Sequence, residues 1–365
     1  MSGSFFDLVE LALTPELNDL QAVARRLGRE RLAPAVREHE QAGQWPREVM
    51  AVLDQLPLGG LDLPTRLGGA EWGCLAKTVA LEALASADAG GLPAADRIGV
   101  TAGAIDACPD SSVVALVATA CEAGTARCAF TVADADFPRA RLDWSPGWPD
   151  LGWIWVADGT TLRLLGVDRA AQARIEPVTA LAFQASGGVS LDLDELPLVG
   201  QWELDSTTAL QVRGRARLWA AAVAIGIAQA AIEDTIDYAT ERVVFGKPVA
   251  HHQGNAFDLA AAAAGVHGAR LIVRDAAGAV DRGNPDAGYW ATQAWIETMD
   301  AALVATNVGI QLLGGHGFLI DHMAEKRFRE ARHLALLAGG RDAAEFDVAN
   351  HTLEVGDPLT SGETP

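Results

Sequence analysis

The chain has 365 residues, half of them apolar and 21% charged, which suffices for more than one core and is ordinary for a globular protein. Lysine and arginine number 28 against 48 acidic residues, and the resulting net charge of −20 excludes the basic footprint that nucleic acid or an anionic membrane requires. Four cysteines without CxxC spacing, Cys74, Cys108, Cys121 and Cys128, argue against a zinc site or a disulfide framework and fit a reducing cytoplasm.

The N-terminus shows no basic stretch leading into an apolar run, so no signal peptide is expected. Thr14-Pro15-Glu16 places an N-cap before proline at the first helical position, and Leu17, Leu20, Val23, Leu27 and Leu32 recur near helical spacing. A second helix is expected from Pro46 to before Gly59-Gly60, a glycine-rich loop in "LPTRLGGAEWG", and further helices from about Leu75 and Ser111.

The texture changes at about Ala126. "GWIWVAD" and "TLRLLGV" read as short strands joined by Asp-Gly and Ser-Pro-Gly turns, and "GVSLDLDELPLVG" alternates as a half-buried strand does. Helical pattern returns at Thr207. Leu218, Ile225, Ile232, Ile236 and Val243 predict one face of a long helix reaching Gly246-Lys247-Pro248. The apolar run Leu218–Ile232 within it is too short to span a bilayer and reads as a buried helix. Two long helices follow, about 253–281 and 287–313, then a shorter one at 322–337. The predicted division is a helical domain over 1–125, an antiparallel β domain over 126–205, a four-helix bundle over 206–352 and a tail over 353–365. Broad apolar faces in that bundle, with Leu303, Val304, Val308 and Ile310 among them, suit core filling or packing against another subunit.

There is no nucleotide-binding glycine fingerprint after a strand, no phosphate loop, no paired histidine ligands and no nucleophile elbow. Metal binding is not expected. Two stretches stand out together, "DYATERVVFGKPVAHHQ" and "NVGIQLLGGHGFLIDHMAEKRFREAR".

Together they resemble the acyl-CoA dehydrogenase family. The family motif Tyr-x-x-x-Arg-x-x-Phe-Gly-Lys-Pro followed by glutamine is matched by Tyr238, Arg242, Phe245, Gly246, Lys247, Pro248 and Gln253. The motif Gln-x-x-Gly-Gly-x-Gly is matched by Gln311, Gly314, Gly315 and Gly317, followed by Phe318 and an arginine helix, Arg329-Glu330-Ala331-Arg332. The resemblance covers nearly the whole chain. It implies an α+β fold of the acyl-CoA dehydrogenase type, with the helical, β and helical domains already in order.

It also implies FAD and an acyl-CoA substrate, dehydrogenated at its α and β carbons with a glutamate as base. At both family positions for that glutamate this chain has alanine, Ala338 and Ala216. Glu345, Asp342 and Glu330 lie near the first but need a shift of several residues. Of the family's flavin-contacting Thr-Glu-Pro-x-Ala-Gly-Ser-Asp stretch only Thr131 matches, in "FTVADADFPRAR", and Gly340 stands where a second flavin-touching threonine belongs. The retained residues, Arg242, Phe245, Gln253, Gln311, Gly314, Gly315 and Gly317, are those that reach a neighbouring subunit's FAD in the family. A guanidinium on a pyrophosphate and glycines that admit a close backbone are reasons to keep them.

The expectation is a non-catalytic subunit that shares FAD across a subunit interface with a catalytic acyl-CoA dehydrogenase partner. Two-gene, α2β2 members of this kind act in actinobacterial steroid and sterol side-chain catabolism, which the resemblance brings into view beside fatty-acid catabolism. Two other readings stay open. One is a self-sufficient flavoenzyme with a relocated carboxylate. The other is a redox-inactive acyl-CoA-binding or structural homologue.

Overall fold

The computed structural model describes residues 13–53, 56, 58–133, 141–146 and 150–355. The first helices are α1 (Pro15–Leu27), α2 (Val36–Ala42), α3 (Arg47–Leu53), α4 (Gly73–Ala85), α5 (Leu92–Ala95), α6 (Ala102–Ala107) and α7 (Ser111–Glu122). Thr14 caps α1 as its sequence predicts, its hydroxyl accepting from the Leu17 N–H at 3.3 Å. Asp110 caps α7 in the same way through Ser112 and Val113. α5 and α6 were not legible in the sequence, because each is under two turns long and carries no periodic stripe.

The middle region holds β1 (Arg127–Ala133), β2 (Arg141–Ser145), β3 (Leu151–Asp158), β4 (Thr161–Gly166), the short α8 (Arg169–Gln172), β5 (Glu176–Pro177), β6 (Val189–Asp192) and β7 (Leu198–Glu203). One sheet has the order β1-β3-β4-β7 and the other β2-β6-β5. Their ladders are antiparallel as expected, except that β1 and β3 run parallel. The stretch read as one strand, "GVSLDLDELPLVG", is two. A turn closed by Leu196 N–H on the Leu193 carbonyl at 3.1 Å, with Pro197 after it, sends β6 and β7 into different sheets.

The last region begins with α9 (Ser206–Glu241), capped by Asp205, and continues through α10 (Gln253–Asp281), α11 (Ala287–Leu313), α12 (Ala324–Leu334) and α13 (Gly340–Val355). α9 is the central strut. From Ala209 to Ile232 it is buried on nearly every side, which its alanines and glycines permit. Its single-face reading needs correction: Ile236 is exposed, and Val243 lies beyond the helix end. The helix stops at Glu241, and Val243–Val244 and Lys247–Pro248 form a small hairpin, β8 and β9. α13 runs to Val355, through the start of the predicted tail, and 356–365 lie outside the described residues.

α4 packs into the bundle so closely that a Cβ on Gly226 of α9 would sit 2.4 Å from the Glu82 carbonyl. Glu82 itself is buried and held by α10, through Arg270 Nε at 2.8 Å and Arg274 Nη2 at 3.2 Å. Helix α10 is long and apolar enough to cross a membrane, as is α9, but α9 is core. The outer face of α10 is instead bare: Phe257, Ala260, Ala261, Ala264, Gly265 and Ile272 are all exposed.

Candidate functional site

The Ala338 position falls in the loop between α12 and α13. Ala338 has left-handed backbone, φ 52° and ψ 37°, and it is followed by Gly339 (φ 96°) and Gly340 (φ 76°). This loop seats on the β domain, where a Cβ on Gly339 would come 3.2 Å from Val132. The loop, β1, the end of β2 and the 93–100 segment enclose a cavity of about 50 Å3. Phe130, Trp144, Trp219, Leu337 and Ala338 are among its walls.

Trp144 meets His333 edge-on, ring centroids 4.3 Å apart, with Phe183 behind both. That apolar surround pushes the His333 imidazole down to about 4. Trp219 Nε1 donates to Asp96 Oδ2 at 2.8 Å. Asp96 is a carboxylate on the cavity wall that no local sequence signal singles out, since its partners come from distant elements. Its Oδ1 accepts from the Gly99 N–H at 2.7 Å and Lys77 Nζ lies 3.1 Å from Oδ2. With both oxygens so engaged, Asp96 ties α4, α9 and the 93–100 segment together and offers no unengaged oxygen to a substrate proton.

The substitute carboxylates do not reach this cavity's wall. Asp342 is exposed in the first turn of α13. Glu345 is exposed and accepts from Arg341 Nε at 2.6 Å. Glu330 is buried elsewhere, paired with Lys326, which also binds Asp88 at 2.8 Å; burial pushes Glu330 up to about 6. Ala216 is fully buried within α9 and is not part of the cavity wall. Thr131 is buried on β1 and is likewise not a wall residue; residues 134–140 of the same stretch lie outside the described residues.

The second set of predicted residues gathers at the opposite end of α9. The two motifs meet where Tyr238 Oη lies 3.2 Å from His316 Nδ1 and donates to the Leu313 carbonyl at 3.5 Å. Arg242 caps α9 and is exposed, as are Gln253 at the start of α10 and Gln311 near the end of α11. Gly314 (φ 58°) and Gly315 are exposed, whereas Gly317 is buried against the Ile310 carbonyl, where a Cβ would come within 2.5 Å. Phe245 sits at the tip of the β8–β9 hairpin, 95% exposed and with φ 51°. With Gly246 at φ 79°, the tip has positive φ at both central residues, the pattern of a type I′ turn. Left-handed backbone costs an L-residue about 1–2 kcal/mol, and here it holds a phenylalanine out in solvent. Phe318, Leu319 and Ile320 are exposed after α11.

The three regions are a helical cap, a two-sheet middle and a helical bundle around a single buried strut. Residues 14–107 match the family description "Acyl-CoA dehydrogenase, N-terminal domain" and residues 207–352 match "Acyl-CoA dehydrogenase, C-terminal domain". The chain belongs to the acyl-CoA dehydrogenase family. It is 26% identical over 367 residues to the probable acyl-CoA dehydrogenase fadE25 of Mycobacterium leprae, covering 92% of this chain and 94% of that one. Butyryl-CoA dehydrogenase from Megasphaera elsdenii shares the fold with a TM-score of 0.78 at 21% identity, covering 94% of this chain and 99% of that one. A variant of the Tcur3481-Tcur3483 steroid ACAD shares it with a TM-score of 0.75 at 22% identity, covering 93% of this chain and 98% of that one.

The family implies FAD. At the Ala338 cavity the bulky side chains of Phe130, Trp144 and Trp219 form the walls and crowd the space open to a flavin ring. The Arg242 end is open: it offers an exposed guanidinium with no ion pair among the described residues, the kind of group that pairs with phosphate, and the glycines Gly314 and Gly315, whose Cβ positions have nothing within 4 Å.

Proposed function

We propose that this chain is a non-catalytic acyl-CoA dehydrogenase subunit that completes the FAD site of a catalytic partner. The observation that carries the reading is Phe245, strained and bare at a hairpin tip beside Arg242. A strained, solvent-held aromatic lowers the stability of the lone chain, and burial against another subunit offsets that cost. The bare face of α10 supports an assembly of the same kind, α2β2 in composition. The alanines at 338 and 216 and the tight cavity support assigning the base and the flavin ring to the partner. The substrate is then an acyl-CoA, in fatty-acid or steroid side-chain breakdown in the cytoplasm; a steroid enzyme named for two components is among the proteins of similar fold.

The test is to purify the chain alone and with a family homologue that carries the missing glutamate. The lone chain is expected colourless and the pair yellow and active on acyl-CoA. Stoichiometric FAD and turnover in the lone chain would overturn the proposal, as would a flavin-free complex.

A further inference from the structure

Cys121 lies in the last turn of α7 and Cys128 is the second residue of β1, and their sulfur atoms lie 3.8 Å apart. All four cysteines are free thiols. The turn between these two is pinned. The Gly124 N–H donates to the Cys121 carbonyl at 3.1 Å, and the N–H groups of Thr125 and Ala126 both donate to the Ala120 carbonyl. The Cys128 N–H donates to the Arg97 carbonyl at 3.0 Å, so the start of β1 is fixed against the 93–100 segment. A disulfide needs the sulfurs at about 2.05 Å, and these two already face one another at 3.8 Å.

We propose that Cys121 and Cys128 are an oxidisable dithiol, a redox modification site whose oxidant is a hydroperoxide. Cys121 is the entry point. It forms part of the wall of a groove of about 520 Å3, together with Met50, Gly59, Gly69 and Arg97, whereas Cys128 faces the Ala338 cavity. The hydrogen bond from the Cys128 thiol, working against burial and aided by the Arg97 and Arg127 guanidiniums, holds the Cys121 thiol below its ordinary range. Burial pushes Cys74 up to about 12, and it also raises Cys108. Cys121 and Cys128 are in contact, and Cys121 is the member that lines the groove.

The chemistry balances. The Cys121 thiolate attacks one peroxide oxygen, the O–O bond breaks, and hydroxide leaves to become water, with Cys121 now a sulfenic acid. The Cys128 sulfur then attacks the Cys121 sulfur, displaces hydroxide as a second water and forms the S–S bond. Two thiols and one hydrogen peroxide give one disulfide and two waters. None of this depends on flavin or on a partner subunit.

The experiment treats the reduced full chain with excess hydrogen peroxide and counts thiols after denaturation. The count is expected to fall from four to two, with one peptide cross-link joining Cys121 to Cys128. Cys108→Ser is the folding control and is expected to lose two of its three thiols. Cys128→Ser is expected to take a dimedone label at Cys121, and Cys121→Ser to take none. Four persisting thiols, or a cross-link between any other pair, would overturn the proposal.

Discussion

The guanidinium of Arg217 donates through Nη2 to the carbonyl oxygen of Ala338 at 3.5 Å. Arg217 belongs to α9 and is 0% exposed. Its Nη1 donates to Asp347 Oδ2 at 2.6 Å and to Thr292 Oγ1 at 3.0 Å, joining α9, α11 and α13. A residue beside one alanine position thus anchors the loop that carries the other, and a structural ion pair occupies the ground between them.

Asp347 is the counter-charge. Burial works to raise its carboxyl, but Arg213 and Arg217 outweigh that and hold it below the usual range. Asp347→Asn leaves the Arg217 charge buried without a counter-charge, a loss of about 3–5 kcal/mol. The melting temperature is expected to fall by roughly 5–10 °C. Replacing both, Arg217→Met with Asp347→Leu, is expected to cost less than the single change, because the fully buried Arg217 charge is gone and Arg213, which loses its carboxylate, is partly exposed and still donates to the Gly159 carbonyl. An Asp347→Asn melt equal to wild type would refute the role given to this pair.

Placing the family's glutamate in this loop is not expected to create an enzyme. Ala338 is buried in left-handed backbone, and Ala338→Glu puts a longer, charged side chain into a cavity of about 50 Å3. A loss of about 2–4 kcal/mol is expected from crowding and desolvation. Thermal melts read the first effect, and acyl-CoA-dependent dye reduction by the lone variant reads the second. Turnover in that assay would mean that the flavin ring does fit here.

In the proposed assembly, Phe245 separates the needs of the lone chain from those of the complex. Phe245→Gly relieves the positive φ at the hairpin tip and is expected to stabilise the lone chain by about 0.5–1 kcal/mol. The same change is expected to weaken co-purification with a catalytic partner. Arg242→Ala is expected to leave the lone chain within about 0.5 kcal/mol of wild type. In the complex it is expected to weaken FAD retention about 10–100-fold, the contribution of a charged hydrogen bond. Equal effects on lone chain and complex would contradict the assignment.

His333 sets a pH step. Its folded-state pKa of about 4 lies below the unfolded value near 6.5. Between those values the unfolded chain binds more protons, so stability falls as pH drops from about 6.5 to about 4, by up to about 3 kcal/mol. Glu330, raised by burial to about 6, acts in the opposite sense and gains stability over an overlapping range. The difference between wild type and His333→Phe isolates the histidine, because Glu330 is common to both. Denaturant melts at about pH 7 and about pH 4.5 check it: the two proteins should diverge at low pH, and parallel curves would remove the claim.

The sequence by itself determined the order of regions and the long helices, because alternation in the middle and helical periodicity around it are local signals. The patterns over 253–281 and 287–313 match α10 and α11. It also carried the alanines at 338 and 216, which are matters of residue identity. Only the tertiary structure decided that β1 and β3 run parallel, that "GVSLDLDELPLVG" turns between two sheets, and that Ile236 is exposed, since each depends on contacts between distant segments. The same holds for the site. Asp96 acquires its place from Lys77, Gly99 and Trp219, and Phe245 its meaning from a positive φ and full exposure, neither of which is written in the residue itself. Periodicity records which face of an element is apolar; which partner meets that face, and how much space is left between them, is fixed only by packing.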